Sequence, residues 1–208
     1  MTQDSFAEAA QTSLARRGRR LAYFTIAWNC LEGLVSIAAG AFAGSISLVG
    51  FGVDSFIEVA SGAAVLWRFS GGAGGMHRER SALRLIGICF VALAAYLTYE
   101  SAQDLLRGTA PERSIPGVAI ACASLVAMPL LSRAKKHVGA QLGSQAMQAD
   151  AKQTDFCVWL SAILLAGLLL NALLGWWWAD PAAALLMVPL IAKEGIESLR
   201  GRACASCG

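Results

Sequence analysis

Apolar residues gather along this chain in long blocks, at about 21–43, 46–68, 84–106, 115–132, 155–176 and 178–193. Short charged stretches separate them. A helix of roughly 20 mainly apolar residues crosses the hydrocarbon layer of a membrane. The pattern predicts an all-α membrane protein, a bundle of six transmembrane helices. Little is left for a soluble domain: a polar segment at 1–20, the helical region at 21–193 and a tail at 194–208.

Charge gives the bundle an expected orientation. Arg16, Arg17, Arg19 and Arg20 precede the first block, and Arg68, Arg78, Arg80 and Arg84 lie between the second and third. Arg133, Lys135, Lys136 and Lys152 lie between the fourth and fifth, and Lys193, Arg200 and Arg202 follow the sixth. Only Arg107 and Arg113 fall on the other side. Short loops rich in Lys and Arg stay cytoplasmic, so both termini are expected in the cytoplasm. The segment 1–20 is too charged to read as a signal peptide. Charged residues make up 15% of the chain, well below the roughly 25% of soluble domains, in keeping with a multi-pass protein of the plasma or inner membrane. The net charge of +3 is too weak to suggest nucleic acid as a partner.

Three tryptophans, Trp176 to Trp178, stand where the fifth block gives way to the sixth, and indoles favour the headgroup zone. Asp180-Pro181 reads as an N-cap followed by a proline in the first turn of helix six. Gly40 and Gly44 form a small-xxx-small pair suited to close helix packing. Cys30, Cys89, Cys122 and Cys157 fall within spans, which is no disulfide framework. The tail pair Cys204 and Cys207 is a lone C-x-x-C, able to capture a soft metal or simply incidental.

Acidic residues inside spans cost at least about 2.5–3.5 kcal/mol each near a helix centre, so each calls for a reason. Asp54 and Glu58 lie near the middle of span two, four apart and therefore on one face. Two facing carboxylates repel when both are ionised. A divalent cation between them, or a shared proton, removes the repulsion. Ser47, Gly50, Ser61 and Gly62 are expected to extend the same face and make it small and polar. No Lys or Arg falls within the core of any predicted span. In span five, Asp150, Gln153, Thr154, Cys157 and Ser161 make one helical stripe. A thiolate among carboxylates suits zinc or a softer ion. Asp155 lies off this stripe, and Asp150 is close to the cytoplasmic edge. Thr25, Asn29, Glu32 and Ser36 form a third stripe, in span one, where Glu32 could ligate, carry a proton or bond another helix. Glu100 is nearer the outer end, and Asn171 reads as interhelical glue. With no phosphate loop, nucleophile elbow or H-E-x-x-H motif, neither an ATP-driven pump nor a membrane hydrolase is expected; the chain does not read as an enzyme.

The stretch Val53-Asp54-Ser55-Phe56-Ile57-Glu58 resembles the D/H-x-x-x-D motif in span two of the cation diffusion facilitators. Ala149-Asp150-Ala151, the Trp-Ala-Asp-Pro stretch at 178–181 and the six-span layout are similar as well. The resemblance implies export of divalent cations, commonly zinc, in exchange for protons, with the ion held between spans two and five. Two departures stand out. The family's pair in span five, His or Asp followed four residues later by Asp, falls on Gln153 and Cys157 in one alignment. In the other it falls on Ala151 and Asp155. The family's soluble C-terminal domain is also expected to be missing, which makes the chain look like a short, divergent bacterial form. The metal site expected from all this comprises Asp54, Glu58, Asp150, Cys157, Gln153, Asp155 and Glu32. The expected partners are divalent metal ions, zinc foremost, as transported substrate, together with protons and the lipid bilayer. A homodimer is left open, and no cofactor is expected. The alternative is a metal-binding membrane accessory protein that does not transport.

Overall fold

A computed structural model describes residues 3–69, 75–108 and 111–200. They form six helices: α1 Gln3–Ala43, α2 Ile46–Phe69, α3 Gly75–Arg107, α4 Ile115–Leu142, α5 Gln145–Leu174 and α6 Ala179–Leu199. No strand occurs among the described residues. By length and composition α1, α2, α4 and α5 each carry a stretch apolar enough to cross a membrane. The helices pack chiefly as three pairs, α1 with α2, α3 with α6 and α4 with α5. Helix α2 touches α1, α3, α5 and α6 and joins the pairs together. Of the residues in its apolar stretch, 61% are buried, against 39% for those of α1, α4 and α5, so α2 is the most enclosed of the four.

Close approach of α1 and α2 depends on glycine. A Cβ on Gly33 would stand 3.0 Å from the Gly52 carbonyl, and one on Gly52 would stand 3.0 Å from the Gly33 carbonyl. At that crossing the two backbones touch, as small residues permit between helices in lipid. Gly44, expected to pack beside Gly40, does something else. It ends α1 with φ +65° and has nothing near its missing side chain, so its role is conformational.

Several helices run beyond their apolar blocks, α1 and α3 at their starts and α6 at its end, and the junction of α4 and α5 shows why. Helix α4 was expected to end near residue 132 but runs on to Leu142, where Gly143 closes it in the left-handed conformation. Ser144 then caps α5 by accepting from the Met147 amide, so α5 starts ten residues before the block at 155–176. Apolarity marks where a helix meets lipid or core. It does not mark where the backbone hydrogen bonds stop, which the Gly-Ser pair decides here. At the other end of the bundle, Asp180 is not the N-cap of α6. Trp178 holds that position without a side-chain bond. The Asp180 carboxylate is turned instead to the start of α2, where it accepts from Ser45 Oγ at 2.6 Å and Ser47 Oγ at 2.5 Å. Asn171 donates to the Pro111 carbonyl at 3.0 Å, so it ties down a connecting segment and not a neighbouring helix. Cys204 and Cys207 lie outside the described residues.

Candidate metal site

Asp54 and Glu58 are fully buried and face α5. The Cys157 thiol donates to Asp54 Oδ2 at 3.0 Å, and the Thr154 hydroxyl donates to Glu58 Oε1 at 2.5 Å. Each acid keeps one oxygen, Asp54 Oδ1 and Glu58 Oε2, buried and without a hydrogen-bond partner. Gln153 Nε2 is a third buried polar atom without one. Buried polar atoms are nearly always paired, so three such atoms on α2 and α5 mark a polar interior with bonding capacity in hand. Among the described residues no three His, Cys, Asp or Glu side chains are arranged to hold a metal ion. Asp54 and Cys157 are instead bonded to each other.

The polar side of α2 is not one flat face. Each step of four residues leaves about 40° of rotation, so the row from Gly50 to Gly62 winds by roughly 120°. A Cβ on Gly50 would meet Leu97 of α3, whereas one on Gly62 would meet Ile26 of α1. Only the middle of the row, Asp54 and Glu58, reaches Cys157 and Thr154 of α5. Ser47, in the first turn of α2, is committed to Asp180. Ser61, at the other end, donates to Asp150 Oδ1 at 3.3 Å.

One residue overturns an expectation about charge. Lys135, assigned to a cytoplasmic stretch, is fully buried on α4. Its Nζ lies 2.7 Å from Asp150 Oδ2 and 3.6 Å from Glu58 Oε1, and it donates to Thr154 Oγ1 at 2.7 Å. A basic group therefore does stand among the buried acids. The periodicity of α4 carried the signal: Ser124, Met128, Leu131, Ser132, Lys135, Val138 and Gly139 are all buried along one helical stripe. Asp150 is likewise buried, and not at a solvated helix end.

Asp155 points elsewhere. It accepts from Ser132 Oγ at 2.5 Å and pairs with Lys136 at a partly exposed position. Glu32 is buried and ties three helices together, accepting from Ser55 of α2 at 3.1 Å and from Ser124 of α4. Its neighbours on the α1 stripe bond mainly to their own helix: Thr25 Oγ1 donates to the Leu21 carbonyl and Asn29 Nδ2 to the Thr25 carbonyl. Glu100 is only half-buried on α3. The structure thus bonds Asp54 to Cys157 and gathers Glu58 and Asp150 around Lys135 and Thr154. It sets Asp155 apart and makes Glu32 a bridge between helices.

Residues 22–202 match the family model described as the cation efflux transmembrane domain. Among curated relatives, transmembrane protein 163 of Xenopus laevis is 26% identical over 84% of this chain and 65% of its own length. An uncharacterized transporter of Synechocystis is 25% identical over 82% of this chain and 58% of its own. One from Methanocaldococcus jannaschii is 29% identical over 86% of this chain and 69% of its own. The chain thus spans about three fifths to two thirds of the relatives it matches.

Proposed function

Because the chain belongs to the cation efflux family, we propose that it carries a divalent metal cation, zinc or a similar ion, out of the cytoplasm in exchange for protons. All six helices cross the membrane in this reading, with both ends in the cytoplasm, as the Lys and Arg distribution favours. The observation that carries it is the buried pair Asp54 and Glu58, each facing α5 with one oxygen unpartnered. An entering ion takes these oxygens and replaces the Cys157–Asp54 hydrogen bond with bonds to metal. The thiol loses its proton in doing so, as a metal ligand must. Proton release on loading, and uptake on discharge, is then built into the ligand set. Rocking of the helix pairs about α2 would expose the ion to each side in turn.

The test uses the purified chain in proteoliposomes under a pH gradient. Wild-type protein should accumulate zinc and move protons the opposite way, read with a metal dye and a pH dye. Asp54→Ala should fall to the rate of empty vesicles while reconstituting normally. Glu58→Asp, which shortens the reach by one methylene, should keep part of the activity. Metal binding without uptake by the wild type would favour the accessory role instead. Uptake by Asp54→Ala at the wild-type rate would remove the acid from the site.

A further inference from the structure

We propose that Lys135 is a resident counter-cation that selects which metals the site accepts, an inference that rests on the transport reading above. The ammonium has three N–H donors, and three oxygens surround it: Asp150 Oδ2, Thr154 Oγ1 and, at the longest range, Glu58 Oε1. It has no exposed surface. It therefore occupies one end of the polar interior as a cation already in place, tethered to α4.

Two consequences follow for an ion entering between α2 and α5. The first is charge. With the ion bound and the Cys157 thiol deprotonated, the carboxylates of Asp54, Glu58 and Asp150, the thiolate and one ammonium sum to three net negative formal charges. One dication brings that sum to a single negative charge, whereas without Lys135 two would remain with the dication bound. The second is ligand type. Lys135 engages Asp150 and one oxygen of Glu58. What remains is Asp54, the other Glu58 oxygen and the Cys157 sulfur. A set with few carboxylate oxygens and one sulfur favours zinc and cadmium. Manganese, which prefers six oxygen ligands, is disfavoured. By holding hard oxygens out of play, the lysine makes the site soft.

The experiment is calorimetric titration of the full-length detergent-solubilised chain with cadmium and with manganese chloride. Lys135→Met frees Asp150 and Glu58 to act as oxygen ligands, and should shift the ratio of manganese to cadmium affinity about tenfold toward manganese. Lys135→Arg keeps the positive charge and should hold the wild-type ratio. A variant that unfolds would change both affinities together, so the ratio is the quantity that separates selection from a merely structural role. If Lys135→Met is poorly folded by size exclusion, Lys135→Met combined with Asp150→Asn removes both members of the pair. It still releases Glu58, and should shift the ratio about threefold in the same direction. A wild-type ratio in whichever of these two variants is folded would overturn the proposal. The underlying reading fails differently: wild-type protein would bind neither metal, or Asp54→Ala would bind both as tightly as wild type.

Discussion

At the scale of single residues, span five offered two ligand sets, and geometry separates them. Positions 150 and 157 are seven apart and return to within about 20° of the same face, whereas 150 and 155 differ by about 140°. In the structure Cys157 and Thr154 reach Asp54 and Glu58, and Asp155 reaches Ser132 and Lys136. Cys157→Ser should therefore weaken cadmium binding more than manganese binding, because the thiolate is the soft ligand. Asp155→Asn should be milder than Asp150→Asn, which leaves Lys135 buried beside an uncharged partner. Calorimetry on wild type and the three variants checks both statements. Loss of binding in Asp155→Asn alone would mean that α5 presents a different face in the working protein. The acids of α2 and the stripe of α5 were legible in the sequence because an ionisable group in an apolar block is conspicuous. Lys135 was not, because it stands in a run with Arg133 and Lys136, and a run of charge reads as a solvated edge. Its burial depends on α4 continuing past the apolar block to the cap at Gly143, along a stripe of apolar and small residues that the charges interrupt.

At the scale of helices, the element count and approximate limits follow from hydropathy, while pairing does not. Hydropathy has no means of saying that α3 lies on α6, since lipid and protein interiors are equally apolar. The contacts that settle it are small-residue crossings and polar bonds at sites of close approach. Asp180 shows the difficulty. Beside a proline it has every mark of a helix cap, yet its carboxylate joins the start of α6 to the start of α2 through Ser45 and Ser47. Hydrogen bonds to a charged group contribute about 1.5–3 kcal/mol, and a buried carboxylate left without them costs more. Replacing both serines, Ser45→Ala with Ser47→Ala, should lower thermal stability in detergent by about 3 kcal/mol. Metal affinity of the folded fraction should stay near wild type, since Asp180 bonds to the start of α2 and not to Asp54 or Glu58. An unchanged melting temperature would show that the clamp carries no load.

At the scale of the whole molecule, charge distribution sets the expected orientation, with the connection between α3 and α4 outside and the α4–α5 turn inside. Arg113 and Gln141 are exposed residues on these two sides. In sealed cells, Arg113→Cys should react with a membrane-impermeant maleimide above the background of the native cysteines. Gln141→Cys should react only after the membrane is opened. The reverse pattern would invert the protein and turn the proposed efflux into uptake.

The short turn at Gly143 and Ser144 bears on how the chain enters the bilayer during synthesis. It folds α4 back on α5, so that Lys135 meets Thr154 only nineteen residues further along the chain. The salt bridge to Asp150 lies within the same hairpin. Asp150 can therefore leave the aqueous channel of the insertion machinery with its charge already matched, which lowers the cost of taking it out of water. Glu58 has no such companion. Its basic partner belongs to a helix two spans later, still untranslated when α2 first reaches the membrane. Nascent α2 therefore meets the membrane with Glu58 unpaired, and the ion pair forms only when the α4–α5 hairpin arrives.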